Sequence, residues 1–221
     1  MSHLFLRSRR SSIIPVKKHE RIKKIYCENK IFYIPSEVYT PSDDTYLLID
    51  NLKVDGGDRV LDMGTGCGII GIITAKKVQK VLAIDINPHA IRCAYNNAKI
   101  NNVLDKFETR EGDLFKVVNS FEGFNLIIFN PPYLPSPEEE SDLGWIQKAW
   151  NGGLSGRDTV DRFLEEFDQY LSENGRILMV QSTLSDVDKT VNRLRKSGFD
   201  VNIIDEKKLA FEKLVVIQAN R

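Results

Sequence analysis

The chain has 221 residues, of which 42% are hydrophobic and 28% charged, enough apolar material for one sizeable core and too much for a disordered polymer. Its 31 Lys and Arg balance 31 Asp and Glu, which argues against a globally basic nucleic-acid binder, and no apolar run is long enough to cross a membrane or to serve as a secretory leader. Cys27, Cys67 and Cys93 are few and scattered, and His3, His19 and His89 stand apart from any cysteine pair, so the sequence predicts neither a disulfide scaffold nor a zinc site, and a reducing, cytoplasmic setting.

Residues 1–24 carry eight basic side chains against Glu20 alone, so this segment is +7 and the remaining 197 residues are −7. It reads as a flexible, solvated tail, with an electrostatic arm for RNA or the ribosome surface as the sharper alternative. Residues 25–221 read as a single domain. Lys30 to Ile34 predicts a short strand, and Asp43 to Leu52 a helix whose first turn holds Asp43 and Asp44. A strand over Arg59 to Met63 leads through glycine-rich sequence into a helix over Ile69 to Lys77. A second strand over Lys80 to Asp85 precedes a helix over Pro88 to Ile100, with proline at its start. Lys106 to Gly112 predicts a third strand of this series and Asn125 to Phe129 a fourth, apolar enough to be buried on both faces. A helix over Thr159 to Leu171, ended by Asn174 and Gly175 as a C-cap, leads to a strand over Arg176 to Val180. A helix over Leu184 to Lys196 ends at Gly198, and strands over Val201 to Asp205 and Leu214 to Gln218 follow with no helix between them. The alternation requires an α/β fold with a mostly parallel sheet and helices on both faces, its last two strands antiparallel to each other.

Three motifs carry chemistry. Asp62-Met63-Gly64-Thr65-Gly66-Cys67-Gly68 joins the first strand of the βα series to its helix, where doubly wound sheets bind ligands. The dinucleotide fingerprint would place a glycine at Ile69, so a nicotinamide site fits poorly. Asp85 ends the second strand, where a carboxylate can accept both hydroxyls of a ribose; the plain alternative is a helix N-terminal charge ahead of Pro88. Asn130-Pro131-Pro132-Tyr133 follows the apolar fourth strand. Its two prolines remove N–H donors and leave carbonyls displayed. The Asn130 amide oxygen and the Pro131 carbonyl can each accept a hydrogen bond from one –NH2 group, and the Tyr133 ring can stack on a flat amide or base. Together they describe a clamp for a planar nitrogen, with Asn130, Pro132 and Tyr133 as substrate contacts and Asn130, Pro131 and Tyr133 as the reacting set.

The loop at 62–68 resembles that of class I S-adenosylmethionine-dependent methyltransferases, and with Asn130-Pro131-Pro132-Tyr133 the chain resembles the HemK-type amino-methyltransferases. Val38 to Leu48 and Ala149 to Phe163 resemble the archaeal and eukaryotic branch of that family. The resemblance implies a Rossmann-like seven-stranded mixed sheet with the last strand antiparallel. It implies S-adenosyl-L-methionine and no metal. It also implies a cofactor site of Thr45, Asp62, Gly64, Gly66, Asp85, Asp113, Leu114 and Asn130, with Asp113 facing the adenine amino group and Leu114 packing on the ring. The implied substrate is the Gly-Gly-Gln glutamine of a class I translation termination factor. The implied partner is a small zinc-binding activator protein added to a bare sheet edge around Phe107 to Arg110. Methylation of adenine in RNA or DNA, methylation of lysine, and a non-catalytic cofactor-binding scaffold stay open as alternatives. Trp145 and Trp150 read either as a lid over the target side chain or as loop packing, and Gly152, Gly153 and Gly156 as the freedom for that loop to close. Glu138 to Asp142 reads as a solvated acidic face.

Overall fold

The computed structural model describes residues 22–137 and 144–221. The basic residues of the tail up to Arg21 and the acidic run 138–142 lie outside the described residues. The first element is a strand that the sequence reading did not contain. β1 (Lys23–Cys27) and β2 (Lys30–Ile34) form an antiparallel hairpin. Its two-residue loop places both Glu28 and Asn29 at positive φ, the left-handed turn that matches strand twist. Lys23 and Lys24, assigned to the tail by their charge, are strand residues.

The hairpin is held through its backbone. Asn97 accepts from the Tyr33 N–H (2.9 Å) and donates to the Tyr33 carbonyl (3.2 Å), while Asn101 accepts from the Ile31 N–H (3.2 Å) and donates to the Ile31 carbonyl (2.8 Å). Two asparagines one helical turn apart thus serve the edge of β2 as a neighbouring strand would. Asn97 also donates to the Cys67 carbonyl in the glycine loop (2.9 Å). It is fully buried. Asn97→Ala takes away the side-chain partner of the Tyr33 N–H and of the Cys67 carbonyl and leaves the Tyr33 carbonyl only the Cys93 thiol, and chemical denaturation is expected to show a loss of about 2–4 kcal/mol.

The main body follows as α1 (Asp43–Asp50), β3 (Arg59–Met63), α2 (Ile69–Ala75), β4 (Lys80–Asp85), α3 (Pro88–Ile100), β5 (Phe107–Glu111), β6 (Phe124–Phe129), α4 (Trp145–Lys148), α5 (Asp158–Glu166), β7 (Leu171–Ser182), α6 (Val187–Lys196), β8 (Asp200–Lys208) and β9 (Lys213–Asn220). The seven strands of the sheet lie in the order β5-β4-β3-β6-β7-β9-β8. β5, β4, β3, β6 and β7 are parallel, and β9 inserts antiparallel to both β7 and β8. β5 lies at one edge, as expected for Phe107 to Arg110.

Strand alternation divides the core between the two faces. Val60, Val81, Ala83, Leu126 and Ile128 pack with α1, α2, α3 and the hairpin. Leu61, Met63, Leu82, Ile84, Ile127 and Phe129 pack with α5 and α6. Near-continuous apolar strands such as Leu126 to Phe129 follow from this two-sided burial.

Two helix boundaries differ from the sequence reading by three residues or more. α5 stops at Glu166, a 3-10 turn covers Phe167–Tyr170, and β7 already begins at Leu171. Asn174 and Gly175 are therefore no helix cap. On β6 the pairing steps from Phe124 to Leu126 while on β7 it jumps from Leu171 to Arg176, so Asn174 and Gly175 sit in a bulge of β7. α6 begins at Val187 because Asp186, at φ 56°, caps it by accepting from the Lys189 N–H (3.0 Å). Among the described residues no helix is long and apolar enough to cross a membrane.

Candidate active site

The site lies at the carboxyl ends of β3, β4 and β6, where the order reverses between β3 and β6 and a doubly wound sheet opens a crevice. A cavity of about 610 Å³ occupies it, the size of a small-molecule site. Thr45, Gly64, Gly66, Asp85, Asp113, Leu114, Asn130 and Pro132 all line it. A smaller cavity of about 330 Å³ adjoins it, lined by Tyr39, Asp44, Pro131, Tyr133, Leu134, Ala149 and Trp150. Tyr39 and Ala149 belong to both walls. The Asn-Pro-Pro-Tyr segment thus turns between two chambers, with Asn130 and Pro132 on the first and Pro131 and Tyr133 on the second.

The glycine loop is shaped for close approach. Gly66 stands at φ 56°, and a Cβ built on it meets no atom within 4 Å. Its open side faces the cavity, so a side chain there would fill ligand space as well as strain the backbone. Asp85 fixes this loop from β4: one carboxylate oxygen accepts from the Gly66 N–H (2.8 Å) and the other from the Asn87 N–H (2.9 Å). The carboxylate keeps acceptor capacity for a ligand hydroxyl beside these backbone donors. Burial pushes the Asp85 carboxyl up to about 6 against the pull of those backbone donors.

Asp62 takes a different place from its neighbours. Strand alternation turns it away from the cavity, and it is almost wholly buried. Its Oδ2 accepts from Thr65 Oγ1 (2.6 Å) and from the Gly71 N–H (3.0 Å). It acts on the loop from beneath. A Cβ on Gly71 would come within 2.7 Å of the Phe107 ring and 2.9 Å of that same oxygen, which explains the glycine in α2. Burial pushes the Asp62 carboxyl up to about 6, against the hydrogen bonds from Thr65 and Gly71. Between about pH 4 and pH 6 the folded chain therefore keeps a proton that the unfolded chain has released, and stability falls as pH rises through that window. Relative to Asp62→Asn, which does not titrate, denaturation at pH 4 and pH 7 is expected to show the wild type losing about 2 kcal/mol.

Asp113 caps the wall beyond β5. Burial raises its carboxyl, but hydrogen bonds from Lys116 (2.8 Å) and Arg162 (2.5 Å), both to Oδ2, outweigh this and hold it below the usual carboxylate value. Leu114, buried at φ 48°, takes a left-handed backbone that costs a non-glycine residue about 1 kcal/mol.

The clamp shows one unmet demand. Asn130 Nδ2 lies 3.5 Å from Thr45 Oγ1, while Asn130 Oδ1 is buried with no hydrogen-bond partner. A buried amide oxygen left open costs free energy unless a ligand donor completes it. Tyr133 is buried and donates to Asp44 Oδ2 (3.1 Å). Burial, then the Asp44 charge and the neighbouring Tyr39, push its phenol far above the ordinary range, so it stays a neutral donor.

Trp145 lines the first chamber and Trp150 the second, so both belong to the site. The glycines after them are engaged with the residues that follow β6. The Gly152 N–H donates to the Leu134 carbonyl (2.9 Å), and the Gly153 carbonyl accepts from the Ser136 N–H (2.9 Å). A Cβ on Gly156 would lie 2.4 Å from the Tyr133 carbonyl. These glycines let the segment press against the clamp. Arg157 anchors its far end: buried, it donates to the carbonyls of Ser185 and Asp186 (both 2.6 Å) and to Asp161 (2.7 Å). Tyr39, Asp44, Asn97 and Arg157 are supporting residues that motif reading passed over.

Comparison with known proteins agrees with this geometry. Residues 41–149 match the family model described as "Methyltransferase small domain". A Methanocaldococcus jannaschii protein assigned as a protein N5-glutamine methyltransferase is 42% identical over 84% of this chain and 92% of its own length. The Homo sapiens methyltransferase HEMK2 is 28% identical over 83% of this chain and 89% of its own. Among solved structures, Mtq2 of E. cuniculi, in a Mtq2–Trm112 complex described as methylating the eRF1 translation termination factor, superposes with a TM-score of 0.67. Its sequence identity is 23%, covering 84% of this chain and 99% of that one. By its sequence relatives and by the motifs its fold gathers at one crevice, the chain belongs to the HemK-type family of protein-glutamine methyltransferases.

Proposed function

We propose that this protein transfers a methyl group from S-adenosyl-L-methionine to the side-chain amide nitrogen of the Gly-Gly-Gln glutamine in a class I translation termination factor. The observation that carries the reading is the buried, unpartnered Oδ1 of Asn130 at the cofactor-sized cavity. The residues present fit the cofactor: a loop with open space above Gly66, a carboxylate with spare lone pairs at Asp85, and an apolar wall at Leu114. Thr45, Gly64, Gly66, Asp85, Asp113 and Leu114 would hold it, with Asp62 setting the loop from below. When bound, S-adenosylmethionine supplies an electrophilic methyl carbon.

The chain's own residues prepare the nucleophile. An amide nitrogen is a poor one because its lone pair is delocalised. Asn130 Oδ1 accepts one of its hydrogens and the Pro131 carbonyl the other, which favours a tetrahedral nitrogen with an exposed lone pair. Pro132 has no N–H to compete for those acceptors. Tyr133 flanks the flat amide, and no strong base is needed because the proton leaves after transfer.

We propose further that the protein works as a heterodimer with a small activator protein joined to the edge of β5. An unpaired edge strand favours such an addition, and the E. cuniculi relative was solved with Trm112. A labelled transfer assay tests the function. The acceptors are the Gly-Gly-Gln factor, its Gln→Ala variant, and adenine-containing RNA and DNA, each with and without the activator. Label on the factor that disappears with the Gln→Ala variant is expected. Label confined to nucleic acid would overturn the reading.

A further inference from the structure

Asp44 stands outside the cofactor chamber, and its surroundings are those of an organising centre. It is 5% exposed, and it is the charged side chain in the wall of the smaller cavity. Its carboxylate collects donors from three residues. Tyr39 donates its hydroxyl to both oxygens (3.2 and 3.1 Å) and Tyr133 donates to Oδ2 (3.1 Å). Thr45 donates its N–H (2.5 Å) and its hydroxyl (3.0 Å) to Oδ1. Thr45 Oγ1 is in turn the group nearest the Asn130 amide nitrogen. Both ends of the Asn-Pro-Pro-Tyr segment are therefore referred to one carboxylate: Tyr133 directly, and Asn130 through Thr45. Among the described residues no cation pairs with Asp44, and its carboxylate is met by these donors.

Helix placement explains why this works. Asp44 lies in the first turn of α1, where a carboxylate is favoured by the helix dipole, and α1 packs on β7, β8 and β9 at the same end of the sheet. The helix thus presents one carboxylate to two tyrosines that wall the second chamber. Tyr39 belongs to both chambers and so stands at their junction.

We propose that Asp44 is the positioning residue of the acceptor clamp: it holds Tyr39 and Tyr133 as paired walls of the channel through which the glutamine side chain enters, and it sets the Asn130 amide through Thr45. The proposal rests on the glutamine reading for its substrate, while the arrangement of Tyr133 is testable without one.

The experiment uses the full chain with its activator in every arm and compares Asp44→Asn, Tyr133→Phe, Tyr39→Phe and the Asp44→Asn/Tyr133→Phe double variant. Asp44→Asn keeps the shape of the side chain, and each tyrosine variant keeps its ring. Asp44→Asn is expected to lower kcat for the glutamine acceptor about 10- to 100-fold while changing cofactor affinity by no more than about threefold. The double variant is expected to be no slower than Asp44→Asn, since both changes cut the same link. Fluorotyrosine NMR of the cofactor-free protein gives a second readout: the Tyr133 resonance is expected to shift or broaden in Asp44→Asn. Losses that multiply in the double variant, or an unmoved Tyr133 resonance, would overturn the proposal. If the wild type labels no glutamine while the resonance moves as expected, the substrate reading fails and the positioning role stands.

Discussion

Asn130→Ala is expected to slow methyl transfer by about 10²- to 10³-fold, the scale seen when one preorganised hydrogen-bonding group is removed from a reacting centre. Cofactor affinity is expected to change little. The asparagine keeps an unpartnered buried oxygen at the cavity, a demand that only an acceptor hydrogen can meet in this reading. Removing it takes away no hydrogen bond of the glycine loop, whose contacts run to Asp62, Asp85, Ile84 and Asn97. Single-turnover rates together with calorimetric cofactor binding separate the two effects. A variant that transfers normally, or one that fails to bind cofactor, would show that Asn130 has been given the wrong role.

Asp85→Asn is expected to act on the other side of the cavity, weakening cofactor binding by about 100-fold or more through two charge-assisted hydrogen bonds. It also weakens the tie to the Gly66 N–H, so the loop itself loosens. A pH dependence follows from the same carboxylate. With burial pushing it up to about 6, its charged form is available to ribose hydroxyls at pH 7 and is lost as pH falls below 6. Cofactor affinity in the wild type is expected to fall by up to about tenfold per pH unit below that point, and Asp85→Asn to lack the dependence. Titrations at pH 5, 6 and 7.5 measure both. A flat wild-type profile would remove Asp85 from the binding set.

The residues that were legible in the sequence are those whose local pattern and tertiary role coincide. β3, β4 and α3 occupy the expected bounds because apolar alternation and Pro88 at a helix start specify them without help from elsewhere. The glycine loop, Asp85, Asp113, Leu114 and Asn130 meet in one cavity because the order of strands and motifs already encodes the crevice. What escaped depends on contacts made at a distance. β1 reads as part of a basic tail because its stability comes from β2, which is docked on asparagines some 64 to 70 positions further along the chain. The bulge in β7 mimics a helix cap because Asn174 and Gly175 suit either turn equally. Asp44 reads as an ordinary helix-start acid, and only the approach of Tyr133, 89 positions away, gives it another meaning. Asp62 was grouped with the cofactor contacts by its motif, yet strand alternation turns it beneath the loop that makes them.

The most direct test of the central claim is tandem mass spectrometry of the termination factor after incubation with S-adenosylmethionine, the activator and either the wild type or Asn130→Ala. The account predicts one methyl group on the side-chain nitrogen of the Gly-Gly-Gln glutamine with the wild type and an unmodified factor with Asn130→Ala. A methyl group on a lysine, or an unmodified factor beside methylated adenine in added RNA, would contradict it.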